Sequence, residues 1–228
     1  MSSTLSSKLI SFYKTLTPPT SLPAGTQILY PQENKEVRRV MKIFFNKYFN
    51  DNEPRRLLFG INPGRFGAGI TGINFTAPRQ LRNYCGIEHS WGESSELSAE
   101  FIYEMIDRYG GPAKFYSDHF IAAVSPLGFV KKGINMNYYD DKRLQEAIKP
   151  FVIASIKRQL TFGFQTDRCI CVGGEKNFKF LSALNDEHKF FEKIIPLPHP
   201  RFILQYKRKQ KDSYIEQYLE VLKGRDAK

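Results

Sequence analysis

Cysteine is scarce in this chain: Cys85, Cys169 and Cys171 are the three present in 228 residues. Three thiols cannot build a disulfide framework, and they fall short of the four ligands an all-cysteine zinc or iron–sulfur site requires. Histidine is scarce too. His89, His119, His188 and His199 show no H-E-x-x-H or comparable spacing, so no metal site is expected. No run approaches 18 apolar residues, which excludes a membrane-spanning helix. The opening MSSTLSSKLISFYK holds neither an apolar core segment nor a small-residue cleavage site, so a secretory signal is not expected. These shortages predict a reduced, intracellular protein, cytoplasmic in a bacterium and nuclear in a eukaryote. Acidic residues are the last shortage: 23 Asp+Glu against 34 Lys+Arg leave a net charge of +11 and a pI near 9.5. That surplus fits a polyanionic partner or a merely soluble basic enzyme, and charge alone does not choose between them.

What is present is ample for a core: 41% of residues are apolar and 14% aromatic, a composition that argues against disorder. Leu5, Leu9, Ile10, Phe12, Tyr13 and Leu16 recur at helical spacing until Pro18-Pro19 ends the pattern. Val37, Val40, Met41, Phe44, Phe45 and Tyr48 form a second amphipathic helix, with lysines and arginines on its other face. Four short apolar runs then alternate with helical patterns: residues 57–61, 120–124, 169–172 and 194–197. Apolar runs without alternation suit strands buried on both faces. Helices are expected over 97–109, 141–160 (with Pro150 as a kink or restart), 175–184 and 213–222. The alternation reads as an α/β fold, a three-layer α/β/α sandwich around a central, mainly parallel four-stranded sheet. We read one domain over 1–228, with residues 1–50 as a helical extension packed on it and 206–228 as a basic segment with a helix.

Each run leads into turn residues: Asn62-Pro63-Gly64, Ser125-Pro126-Leu127-Gly128, Gly173-Gly174 and His199-Pro200-Arg201. Open parallel sheets bind ligands at the carboxyl ends of their strands, so these four turns converge on one expected site. Asn62 serves there either as a turn former bonding its own backbone or as a functional amide. Residues 67–72 satisfy G-x-G-x-x-G, but the pattern starts six residues after its strand and opens no helix, so a dinucleotide site is not expected. Cys169 and Cys171, inside an apolar run, read as small core residues. The charge run Lys207-Arg208-Lys209-Gln210-Lys211 is either a solvated face or a contact for a polyanion.

Gly60-Ile61-Asn62-Pro63-Gly64-Arg65-Phe66-Gly67, continued by Thr71-Gly72-Ile73-Asn74-Phe75, resembles the first active-site motif of SMUG-type enzymes. These are the single-strand-selective monofunctional branch of the uracil-DNA glycosylase superfamily. His199-Pro200 resembles the superfamily's other motif, and the resemblance covers roughly residues 55–205. It implies a DNA repair enzyme that flips uracil out of DNA and hydrolyses its N-glycosidic bond, with no lyase activity, no cofactor and no metal. Its partner would be uracil-containing DNA, met as a monomer. By the same resemblance Asn62 holds the attacking water, His199 faces the uracil O2 and Phe75 stacks on the flipped base. Ile61 and Gly64 belong to the base site, Gly64 standing where the most uracil-restricted branch has a tyrosine. An asparagine that usually reads the uracil edge after the second strand is missing, and among Ala122, Ala123 and Ser125 the last is the expected reader. Arg65, Gly174, Lys176, Arg201, Phe202, Lys207 and Arg208 are the expected DNA contacts, with Arg201 or Phe202 as the wedge. Alternative readings are a related glycosylase for 5-substituted uracil or mismatched thymine, or a nucleic-acid-binding domain without catalysis.

Overall fold

The computed structural model of the protein describes residues 3–224. In chain order its elements are α1 (Leu5–Lys14), β1 (Thr26–Leu29), α2 (Lys35–Tyr48), β2 (Arg56–Gly60), α3 (Ala68–Thr71), α4 (Pro78–Asn83), α5 (Leu97–Tyr109) and α6 (Gly111–Asp118). Then follow β3 (His119–Ala123), β4 (Gly128–Lys131), β5 (Ile134–Met136), α7 (Lys142–Leu160), β6 (Gln165–Val172), α8 (Gly174–His188), β7 (Lys193–Leu197), α9 (Pro200–Tyr206) and α10 (Lys211–Leu222).

The four apolar runs form one parallel sheet in the order β3-β2-β6-β7. Leu58 pairs with Ile121 on one side and Ile170 on the other, and Cys171 pairs with Pro196. Consecutive residues of the inner strands (Leu57, Leu58, Phe59; Cys169, Ile170, Cys171) are all buried, because helices cover both faces. The N-terminal residues build core rather than decoration. Thr4 caps α1 by accepting the Ser7 N–H, and Asn34 caps α2 by accepting from Glu36 and Val37. The apolar stripes of the two helices share one core, with the Tyr13 and Phe45 rings stacked 5.9 Å apart.

Three features depart from the sequence expectation. Helix α7 runs unbroken through Pro150, whose ring faces solvent. The carbonyl of Glu146, the one left without a donor, belongs to an exposed residue and can bond water. The segment after His199 is a helix rather than a loop, with Pro200 in its first turn. A second, antiparallel sheet in the order β1-β4-β5 stands beside the first. Its β4–β5 hairpin turns at Lys132 and Gly133, with φ of 50° and 73°, the paired left-handed residues of a tight hairpin loop. Among the described residues no helix is long and apolar enough to cross a membrane.

Candidate active site

The carboxyl ends of β2, β3, β6 and β7 open onto a cavity of about 650 Å³. Ile61, Asn62, Gly64, Phe75 and His199 all line it, as do Ala123 and Gly173 from the other two strand ends.

Asn62 follows β2 directly, and backbone from the second sheet fixes its amide. Nδ2 donates to Met136 O at 3.1 Å and to Pro63 O at 3.3 Å, while Oδ1 accepts the Tyr138 N–H at 3.0 Å. The O and N ends are therefore distinguishable, and one lone pair of Oδ1 remains for a further donor such as water. An amide has no useful basicity, so this group can orient water but cannot take its proton.

Phe75 holds a left-handed backbone, φ 52°, a conformation that costs a bulky residue on the order of 1–3 kcal/mol. The turn before it is over-determined. The Thr71 hydroxyl donates to Thr76 O at 2.6 Å and accepts the Ile73 N–H at 3.1 Å, and Asn74 Nδ2 donates to Ile121 O at 3.2 Å. The ring lies over Gly60, where an added Cβ would come within 2.8 Å of Phe75 Cε2. It stands 5.8 Å from the His199 ring, inclined by 51°.

His199 caps α9: its Nδ1 accepts the Arg201 N–H at 3.1 Å. A ring nitrogen that accepts carries no proton, so the neutral imidazole bears its hydrogen on Nε2. Burial pushes the group down to about 4, and the positive charge of Arg201 pushes the same way. At neutral pH His199 is thus an uncharged N–H donor.

A family model described as the uracil DNA glycosylase superfamily matches residues 46–223. The chain belongs to the uracil DNA glycosylase superfamily. It is a DNA glycosylase, a hydrolase that acts on DNA. The crystal structure of wild-type Pedobacter heparinus SMUG2 matches with a TM-score of 0.94 at 44% sequence identity, over 96% of this chain and 97% of that one. No curated protein sequence matches.

Ser125, the expected base reader, does not line the glycosylase cavity. It is fully buried, and its hydroxyl donates to Leu127 O at 2.8 Å. Its one donor is spent in its own turn and the side chain is buried away from the cavity, which Ala123 is the second-strand residue to reach. Of the expected DNA contacts, Arg201 and Phe202 line the cavity. Arg65 is exposed nearby, its guanidinium 5.0 Å from the Phe66 ring. Gly174 begins α8, and Lys176 lies 5.8 Å over the ring of Tyr139, itself a lining residue. Lys207 and Arg208 are exposed beyond α9, outside the cavity, and Lys211 of the same charge run is tied to Glu104 at 2.7 Å.

The structure adds residues that carried no sequence signal. Glu96, just before α5, lines the cavity, and burial pushes its carboxyl up to about 7 against the opposing pull of Arg201. Its Oε1 occupies the space beside Gly67, where a Cβ would come within 2.2 Å. Gly69 approaches Gly64 O, and Gly72 packs on Met41 and Val37. All three glycines of the G-x-G-x-x-G pattern are thus spent on close packing around the four-residue α3, which leaves no phosphate cradle. Asn177, fully buried, accepts from the Tyr138 hydroxyl at 2.6 Å and points Nδ2 at Gly60 O and Cys171 Sγ.

Proposed function

We propose that this glycosylase hydrolyses the bond between uracil and deoxyribose in DNA, releasing free uracil and leaving an abasic site. The observation that carries the reading is the pair of Asn62, a fixed amide, and His199, a neutral N–H donor, on one cavity beside the ring of Phe75. A base in a duplex is out of reach, so the nucleotide must be extruded. Stacking on Phe75 returns about 1–3 kcal/mol of that cost. The C1′–N1 electron pair leaves with the base, and negative charge builds on the uracil O2. His199 Nε2–H donates to that charge without surrendering its proton. Water held at Asn62 Oδ1 closes on C1′ and sheds its proton to solvent. Among the described residues no lysine lines the cavity, which favours plain hydrolysis over Schiff-base lyase chemistry.

Single-turnover release from a labelled uracil oligonucleotide tests this reading. His199→Ala should slow release by about 10²–10³, the scale of a lost anion-stabilising donor. Asn62→Ala should slow it at least as much, since the fixed lone pair of Oδ1 is lost with the amide. Near-normal release by both variants overturns the site. Gly64 favours a wider substrate range: a Cβ there would meet nothing closer than Asn135 Nδ2 at 3.4 Å, so the cavity has room beside a 5-substituted base. Release of 5-hydroxymethyluracil as well as uracil would support that extension.

A further inference from the structure

The end of β3 brings only Ala123 to the cavity, and a methyl group cannot tell one base edge from another. Asn62 Nδ2 is already spent on backbone carbonyls, and His199 enters from the far side, after β7. A second amide faces the gap. Asn135, the middle residue of β5, lines the cavity, and its Oδ1 accepts the Arg65 N–H at 3.0 Å. A backbone N–H can only donate, so this bond fixes which end of the amide is which. Nδ2 is the free end. It lies 3.4 Å from where a Cβ on Gly64 would stand, and Gly64 is itself a lining residue. Among the described residues Nδ2 meets no acceptor.

The donor is carried on a strand, not on a loose loop. Asn135 pairs with Val130 of β4, and the carbonyl of the next residue, Met136, holds Asn62 Nδ2 at 3.1 Å. A side chain set this firmly keeps its direction when a ligand arrives. His199 and Asn135 approach the cavity from different strands. His199 follows β7, whereas Asn135 is bonded to the turn after β2, and β6 lies between those two strands. Two strand spacings come to about 9.5 Å. A pyrimidine that accepts a bond of about 2.9 Å at each of two carbonyl oxygens needs donors separated on that scale. Uracil carries two such oxygens, O2 and O4. Cytosine keeps O2 but has an amino group at C4, whose hydrogens would meet those of Nδ2. Two donors set head to head leave both unpaired, which costs more than the loss of one bond.

We propose that Asn135 is a specificity residue that reads position C4 of the extruded base, its Nδ2–H donating to O4 and disfavouring an amino group there. The assignment rests on the glycosylase reading for an extruded base lying on Phe75. It matters because the C4 substituent is what separates uracil from cytosine.

Affinity measured without cleavage separates this reading of C4 from the chemistry. The probes are single-stranded oligonucleotides with one 2′-fluoroarabino nucleotide, whose fluorine destabilises the sugar cation and blocks cleavage. One carries uracil and the other 2-pyrimidinone, which keeps O2 but has only hydrogen at C4. Fluorescence anisotropy at fixed salt gives the ratio of the two affinities. The unmodified protein should prefer uracil by about 10-fold, the scale of one hydrogen bond from a desolvated donor. Asn135→Ala should bring the ratio to about one. Asn135→Asp keeps an oxygen for the Arg65 N–H but replaces the donor by an acceptor, so it too should abolish the preference. Its negative charge weakens both probes alike and cancels in the ratio, whereas a side chain that merely braced the turn would leave the Asp ratio unmoved. No preference in the unmodified protein, or an unmoved ratio in either variant, overturns the assignment. Uracil release by the unmodified protein from an unfluorinated strand is measured alongside. Release with an unmoved ratio refutes the role of Asn135 alone, whereas no release with a collapsed ratio refutes the glycosylase reading and leaves the C4 contact standing.

Discussion

The state of His199 governs how uracil release should respond to pH. A group with its pKa at about 4 is about 1% protonated at pH 6, whereas an ordinary histidine near 6.5 would be about three-quarters imidazolium there. The lowered value favours the neutral form, so the Nε2–H donor is fully present at every pH above roughly 5 and is replaced by imidazolium only below that. Glu96 shares the cavity and titrates at about 7, so the unmodified enzyme should show a single step near pH 7 that belongs to the carboxyl. Glu96→Gln removes the step. In that background the single-turnover rate should be flat from pH 8 to about pH 5, and adding His199→Ala should lower the whole plateau by about 10²–10³, equivalent to about 2.7–4 kcal/mol. The assay is rapid-quench uracil release at saturating enzyme across that range. A Glu96→Gln rate that falls with rising pH through about 6.5 would show that imidazolium is the working form, and the neutral-donor argument would be refuted.

Two glycines give a contrasting pair. Gly60→Ala puts a Cβ 2.8 Å from Phe75 Cε2 and 3.1 Å from Cζ, so the ring must swing into the cavity; uracil release should drop at least about tenfold for a folding cost no greater than the roughly 1–3 kcal/mol of an overpacked core. Gly67→Ala meets the flexible end of Glu96, so melting should barely change while the step near pH 7 moves; a shifted melt with an unmoved step contradicts the placement of that carboxyl. Stability itself should depend on pH through His119, which is buried against Phe115 and Tyr109 and pushed down to about 4 by that burial. Because the unfolded chain takes up the proton near 6.5 and the folded one does not, its contribution is complete above that value. It is lost progressively as pH falls from 6.5 to about 4, by up to about 3 kcal/mol, with His199 adding in the same direction. Urea melts at pH 8 and pH 5 should show this loss, and His119→Phe should reduce it; an unchanged difference removes His119 from the account.

The parallel sheet was legible because strands buried on both faces leave unbroken apolar runs, and the four runs coincide with the four strands. The second sheet was not. Its strands are three or four residues long with mixed burial, and Ile134 of β5 is largely exposed. Its tight turn uses Lys132-Gly133 in place of the Asn-Gly pair that would have announced a hairpin. Helix α9 was hidden in the same way, since seven residues carry little periodicity and its cap is a histidine rather than serine, threonine or aspartate. In the site, Asn62, Phe75 and His199 were readable because each stands at a strand end or inside a contiguous motif. Glu96 and Asn177 were invisible because only tertiary packing brings Glu96 beside Gly67 and Asn177 to the end of β2. Ser125 failed for the opposite reason: its position was right, but side-chain direction in a closed turn is decided by local hydrogen bonds that spacing does not record.

The unforeseen hairpin also explains why an amide, and not a carboxylate, stands at position 62. Met136 O and Pro63 O both face Nδ2, so an aspartate there would set a negative oxygen against two carbonyl oxygens at 3.1 and 3.3 Å. Turning the amide over would fare no better, since the Tyr138 N–H would then meet Nδ2. Tyr138 is in turn held to Asn177, and Asn177 to the end of β2, so the backbone around the amide has little freedom to adapt. The fold therefore admits only a neutral group at position 62, which supplies no general base there. On the proposed function the work of bond cleavage then shifts to the leaving group, where His199, held neutral by burial and fixed as the Nε2–H tautomer by the first turn of α9, supplies an uncharged donor suited to a developing anion.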